Sequence, residues 1–65
     1  MNFRKLREHG WSVYPNMLVK EQEYPYAKCV VALNDGKVKR IYWSCVRAPD
    51  SIKEKFLSEL EECRR

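Results

Sequence analysis

The sequence predicts a small α+β domain in which a short helix opens the chain, antiparallel strands fill its middle and a longer helix closes it. Three observations carry this expectation. Asn34-Asp35-Gly36 separates two runs rich in β-branched and aromatic residues, the pattern of a hairpin. Ile52, Phe56, Leu60 and Cys63 recur at helical spacing near the C-terminus. A length of 65 residues leaves room for one domain only, spanning 1–65.

The first helix is expected over residues 3–9. Asn2 can cap it and Gly10 can end it in the left-handed conformation. Phe3 and Leu6 share one face, and two turns cannot be stable unless that face docks on something. Trp11-Ser12-Val13-Tyr14 alternates as a half-buried strand does. Pro15-Asn16 punctuates it, Met17 to Lys20 continues or restarts it, and Glu21-Gln22-Glu23 reads as a turn. The sheet therefore has three strands, or four if residues 15–25 supply one.

The hairpin spans 26–46, with Tyr26 to Leu33 paired to Val38 to Val46. A two-residue turn at Asp35-Gly36 would put Arg40 beside Cys29, Val31 and Tyr42 on one face. A three-residue loop with a bulge at Gly36 instead groups Ala27, Cys29 and Val31 with Ile41 and Trp43. The second register separates apolar from charged residues and is preferred. It leaves Tyr26, Lys28, Val30, Arg40, Tyr42 and Ser44 on the other face and turns Lys39 toward the core. Ser51-x-x-Glu54 matches a capping box for the last helix. That helix presents Ile52, Phe56, Leu60 and Cys63, widened by Leu57, to the sheet. The expected order is αβββα, with Trp43 and Phe56 filling the space between sheet and helix.

Thirteen Lys and Arg against nine Asp and Glu leave a formal charge of +4. Nine of the bases and four of the acids fall in residues 1–49, so the basic character lies there and hints at an anionic partner. No apolar stretch follows the basic residues of the N-terminus, and the longest apolar run is Cys29 to Leu33. Neither a signal peptide nor a membrane span is expected, and the default address is cytoplasmic.

Cys29, Cys45 and Cys63 are odd in number and widely spaced, which argues against a disulfide framework. Together with the sole histidine, His9, they offer none of the close ligand pairs that zinc sites use. They are expected to be buried thiols acting as small hydrophobes, with no metal and no cofactor. A cysteine nucleophile would need His9 as its base, and His9 sits at a helix end where a partial positive charge suits the dipole. No phosphate-binding loop or carboxylate pair is present. The expectation is a binding protein and not an enzyme, with no catalytic residue. The acids Glu54, Glu59, Glu61 and Glu62 read as a solvated helix face.

The candidate binding residues are Tyr26, Lys28, Lys37, Lys39, Arg40 and Tyr42 on the sheet and hairpin, extended by Arg4, Lys5 and Arg7 on the first helix. Cations neutralise phosphate and aromatic rings stack on bases, so DNA or RNA is the first partner class. Protein interfaces are enriched in the same Tyr and Arg. The second class is a protein-interaction module, for example a stand-alone inhibitor or adaptor of the kind that phages and mobile elements encode to block a larger host protein or nucleoprotein complex. A homodimer through an open sheet edge fits either reading.

Overall fold

The computed structural model describes residues 1–44 and 47–64. Its elements run α1 (Phe3–Glu8), β1 (Ser12–Tyr14), β2 (Met17–Glu23), β3 (Tyr26–Asn34), β4 (Lys37–Trp43) and α2 (Asp50–Cys63). The four strands form one antiparallel meander in the order β1-β2-β3-β4. The chain is α+β as its periodicity predicts, with the fourth strand present.

Helix α1 begins where the Asn2 side chain accepts a hydrogen bond from the Lys5 N–H at 3.0 Å. Asn2 also donates its own N–H to the Cys63 carbonyl, satisfying one of the orphan acceptors at the end of α2. At the other end of α1 the Gly10 N–H donates to Arg7 and the Trp11 N–H to Leu6, both at 3.0 Å. This is a Schellman ending, and it requires the left-handed backbone that Gly10 adopts at φ 94°. The same bonds turn Trp11 back beside Leu6, and both side chains are buried in the core.

Residues 21–23 are strand and not turn. Strand β2 continues to Glu23, which pairs with Tyr26, so the reversal falls on Tyr24-Pro25, whose peptide bond is cis. Proline cannot donate to a ladder and punctuates the sheet more strongly than the three polar residues before it.

The hairpin reaches the expected facial grouping by a different route. Asn34 pairs with Lys37, leaving a two-residue turn in which Asp35 and Gly36 have φ of 53° and 75°. Positive φ at both positions defines the turn whose twist matches that of the strands. The irregularity lies further on, where Leu33 pairs with Val38 but Ala32 with Arg40. Lys39 is the extra residue, exposed and in a bulge, and does not face the core. Its insertion restores the pairs Val31 with Ile41 and Cys29 with Trp43, so apolar side chains meet on one face. Cys45 and Val46, expected at the end of this strand, lie outside the described residues.

Helix α2 starts at Asp50, ahead of the proposed Ser51 cap. Pro49 occupies the cap position with no side-chain bond, and its carbonyl accepts from Ile52 and Lys53 at 3.0 and 3.1 Å. Proline's fixed φ suits a helix start, which moves the boundary outward from the serine. Both helices cover one face of the sheet. Between the layers lie Leu6, Trp11, Leu18, Ala27, Cys29, Val31, Leu33, Phe56, Leu60 and Cys63, with Trp43 stacked on Phe56 at 5.9 Å. Leu57 does not join this stripe and is exposed.

Candidate binding face

The other face of the sheet carries neither helix. Strand alternation places Tyr14, Met17, Val19, Glu21, Glu23, Tyr26, Lys28, Val30, Ala32, Arg40 and Tyr42 on it, opposite in sense to the buried set. Three of its aromatics stand about half exposed, Tyr14 at 46%, Tyr26 at 45% and Tyr42 at 48%. The pairings Val19 with Val30 and Met17 with Ala32 put aliphatic side chains at its centre. The Arg40 guanidinium lies 5.8 Å from the Tyr42 ring centre. Arg40 and Tyr42 also line, with Ala32 and Lys39, a depression of about 350 Å³. At the opposite end of the face the Tyr26 hydroxyl donates to the Glu21 carboxylate at 3.0 Å.

Four of the nine candidate residues are thus gathered on one surface: Tyr26, Lys28, Arg40 and Tyr42. Lys39 borders that surface from the bulge and Lys37 stands at the hairpin end. Arg4, Lys5 and Arg7 are not brought to it. They belong to α1, in the layer on the far side of the sheet, and cannot extend the same footprint. Lys5 is moreover paired with Glu62 at 2.6 Å. The bond and its charge hold the Lys5 ammonium above its ordinary range and the Glu62 carboxyl below its own.

Strand β2 accounts for what the sequence reading missed. Its open-face residues Met17, Val19, Glu21 and Glu23 follow from simple alternation once 17–23 is one strand. The acids read as a turn bring negative charge to a face expected to be basic.

A second cluster lies on the helical side. Lys20 occupies a core-facing position, opposite Cys29, and is bonded to the Glu59 carboxylate and to the His9 carbonyl, the latter at 2.8 Å. The Trp11 indole N–H donates to the same Glu59 oxygen at 3.2 Å. Side-chain exposures of 12% and 13% for Lys20 and Glu59 correct the reading of Glu59 as part of a solvated face. His9 is no bare helix terminus either. Its ring nitrogens lie 3.8 and 3.6 Å from the carboxylates of Glu59 and Glu62.

The chain gave no match when compared with protein-family models, with curated proteins or with solved structures.

Chemistry at Cys29 and Cys63 is disfavoured by burial. Cys29 and Cys63 are unpaired and buried, and desolvation pushes the Cys29 thiol up to about 11, away from the thiolate that a nucleophile needs. Among the described residues no three His, Cys, Asp or Glu side chains gather as a metal site would. No described helix is long and apolar enough to cross a membrane.

Proposed function

We propose that this chain is a non-enzymatic protein-interaction module, of the stand-alone inhibitor or adaptor kind, whose working surface is the uncovered face of the sheet. One observation carries the reading: the face has an apolar centre with charges of both signs around it. Met17, Val19, Val30 and Ala32 occupy the two middle strands, Tyr14 and Tyr42 flank them, Tyr26 lies beyond the Glu21–Lys28 row, and Arg40 and Lys28 are balanced by Glu21 and Glu23. An apolar core with a mixed polar rim, rich in Tyr, Met and Arg, is the anatomy of a protein interface. A surface evolved for phosphate gains from a field of one sign, and two carboxylates on the same face oppose it. The cations of α1 lie on the other side of the sheet and do not reinforce it.

Affinity capture from the lysate of the native host, with and without nuclease, tests this. The parent is expected to retain a protein partner after nuclease treatment, and a folded Val30→Asp variant to lose it. Loss of the partner on nuclease treatment overturns the reading.

A second reading, binding of nucleic acid, is favoured by the Arg40–Tyr42 pair, with Lys28 on the same face and Lys39 across the shallow depression. A strand laid along β4 would stack on Tyr42 and be neutralised by those three cations and Lys37. Four phosphate contacts would give a slope of log affinity against log salt of about −3.6 for duplex DNA and about −2.8 for single strands. A double variant Lys39→Glu/Arg40→Glu would then lose most of the binding with its circular-dichroism spectrum unchanged. Salt-insensitive, micromolar-or-weaker binding to both probes at low salt overturns this second reading.

A further inference from the structure

We infer that the open face binds a second copy of this chain, face to face, about a two-fold axis that runs parallel to the strands midway between β2 and β3. The inference rests on the protein-binding reading of that face and names its occupant.

The ladder registers arrange the face in rows across the strands. Tyr14, Met17, Ala32 and Arg40 form one row and Ser12, Val19, Val30 and Tyr42 the next, while Glu21 and Lys28 lie side by side in a third. A two-fold axis along the strands exchanges β1 with β4 and β2 with β3 within each row. Row-mates on exchanged strands then face each other, and four of these pairs are complementary. Val19 meets the second copy's Val30, and Met17 its Ala32, which closes an aliphatic centre. Tyr14 meets its Arg40, a cation over a ring. Glu21 meets its Lys28, and symmetry makes each of these contacts twice.

The other in-plane axis, perpendicular to the strands, sets each strand against its own copy. Whatever its height along the strands, Glu21 can then meet only residues of β2 and Lys28 only residues of β3, and Tyr14 never meets Arg40. The charge pattern on this face is therefore self-complementary in one orientation and not in the alternative. Aligned sheets stack about 10 Å apart, a gap that the long Glu21, Lys28, Tyr14 and Arg40 side chains span. A standard footprint of about 800 Å² per partner is about one sixth of the molecule's 4743 Å² of accessible surface, which one broad face can supply. The edges are less suited to pairing. Strand β1 has three residues, and β4 is bulged at Lys39 and flanked by Lys37 and Arg40, devices that discourage edge-to-edge pairing.

Charge reversal in sedimentation equilibrium tests the arrangement, from about 1 µM to about 1 mM, the span expected for modest interfaces of this size. The parent is expected to form dimers. Glu21→Lys and Lys28→Glu, each checked for folding by circular dichroism, are each expected to weaken dimerisation by about tenfold or more. An equimolar mixture of the two variants is expected to associate as well as the parent. In the mixed dimer both cations that the first variant carries at positions 21 and 28 face carboxylates of the second. Restored pairing within one chain cannot produce that recovery. Val30→Asp is expected to abolish the dimer. A parent that stays monomeric throughout, a mixture that fails to recover, or a dimer that survives Val30→Asp each overturns the proposal. A monomeric parent whose nuclease-resistant capture of a foreign protein is still lost in Val30→Asp defeats only the second copy as occupant. A monomeric parent that captures no protein after nuclease treatment defeats the protein-binding reading itself.

Discussion

Lys20 and Glu59, 39 positions apart in the chain, form an ion pair between the buried face of the sheet and the last helix. The ammonium sits among aromatic rings, 4.9 Å from the centre of Phe56 and 6.0 Å from that of Trp11. A second of its three N–H donors goes to the His9 carbonyl that ends α1. One lysine thus ties together the sheet and both helices. A charge in such a position is tolerated only while its partner is present.

Removing either partner alone should therefore be costly. Glu59→Leu leaves an uncompensated ammonium against apolar rings and should destabilise by about 3 kcal/mol, the low end for broken buried pairs, because a little solvent still reaches this one. The double variant Lys20→Met/Glu59→Leu should recover most of that loss. Urea denaturation of both single variants and the double variant measures the coupling. Additive single losses would mean that the pair carries no mutual stabilisation.

Phe56 is fully buried and contacts two tryptophans, Trp11 edge-on at 6.1 Å and Trp43 stacked at 5.9 Å. Phe56→Ala should cost about 3–5 kcal/mol, enough to threaten folding in a domain of this size. Trp43→Ala should fall at the low end of that range, since Trp43 is half-buried and its outer side is covered by Lys53. Melting temperatures within a few degrees of the parent would refute the placement of the helix.

Lys39 offers a counter-intuitive test. Deleting it removes the bulge while preserving the pairs Leu33 with Val38 and Ala32 with Arg40 on either side, so the shortened chain should fold with stability within about 1 kcal/mol of the parent. Deleting Val38 instead would bring Lys39 opposite Leu33, placing a charge at a core position, and should unfold the hairpin. Far-ultraviolet circular dichroism and thermal melts of the two deletions separate these outcomes.

The thiols should report the fold. Desolvation raises the Cys29 thiol to about 11 and shifts Cys63 in the same direction. Both should resist iodoacetamide at neutral pH and react only after denaturation, as peptide mapping by mass spectrometry would resolve site by site. Because the folded state favours the protonated thiol, its contribution to stability is complete below the ordinary value of 9.0 and is lost as pH climbs toward about 11. A Cys29→Ala variant should flatten that alkaline decline. Rapid labelling of native Cys29 would contradict its burial.

The elements and their order are legible in short stretches of sequence because the forces that make them are local. Asn2 and Gly10 bracket α1 through bonds to residues three or four positions away. Alternation over 26–33 assigns each β3 side chain to a face, and Ile52, Phe56 and Leu60 align on α2 through the helical repeat. Four of the candidate binding residues could be grouped for the same reason, since Tyr26, Lys28, Arg40 and Tyr42 share parity across one hairpin. Beyond that range the local signals are silent or misleading. Two registers of the hairpin satisfy the same facial pattern, and only the assembled sheet decided that the extra residue is Lys39 and not Gly36. Glu59 looks like any acid on a helix, and Lys20 like any base on a strand. Their pairing depends on where α2 lies over the sheet, a placement in which Phe56 contacts both Trp11 and Trp43. The separation of Arg4, Lys5 and Arg7 from the open face is likewise a matter of layers. A cation's sign can be read from the chain, but the side of a sheet on which it stands follows from which surface the helices bury.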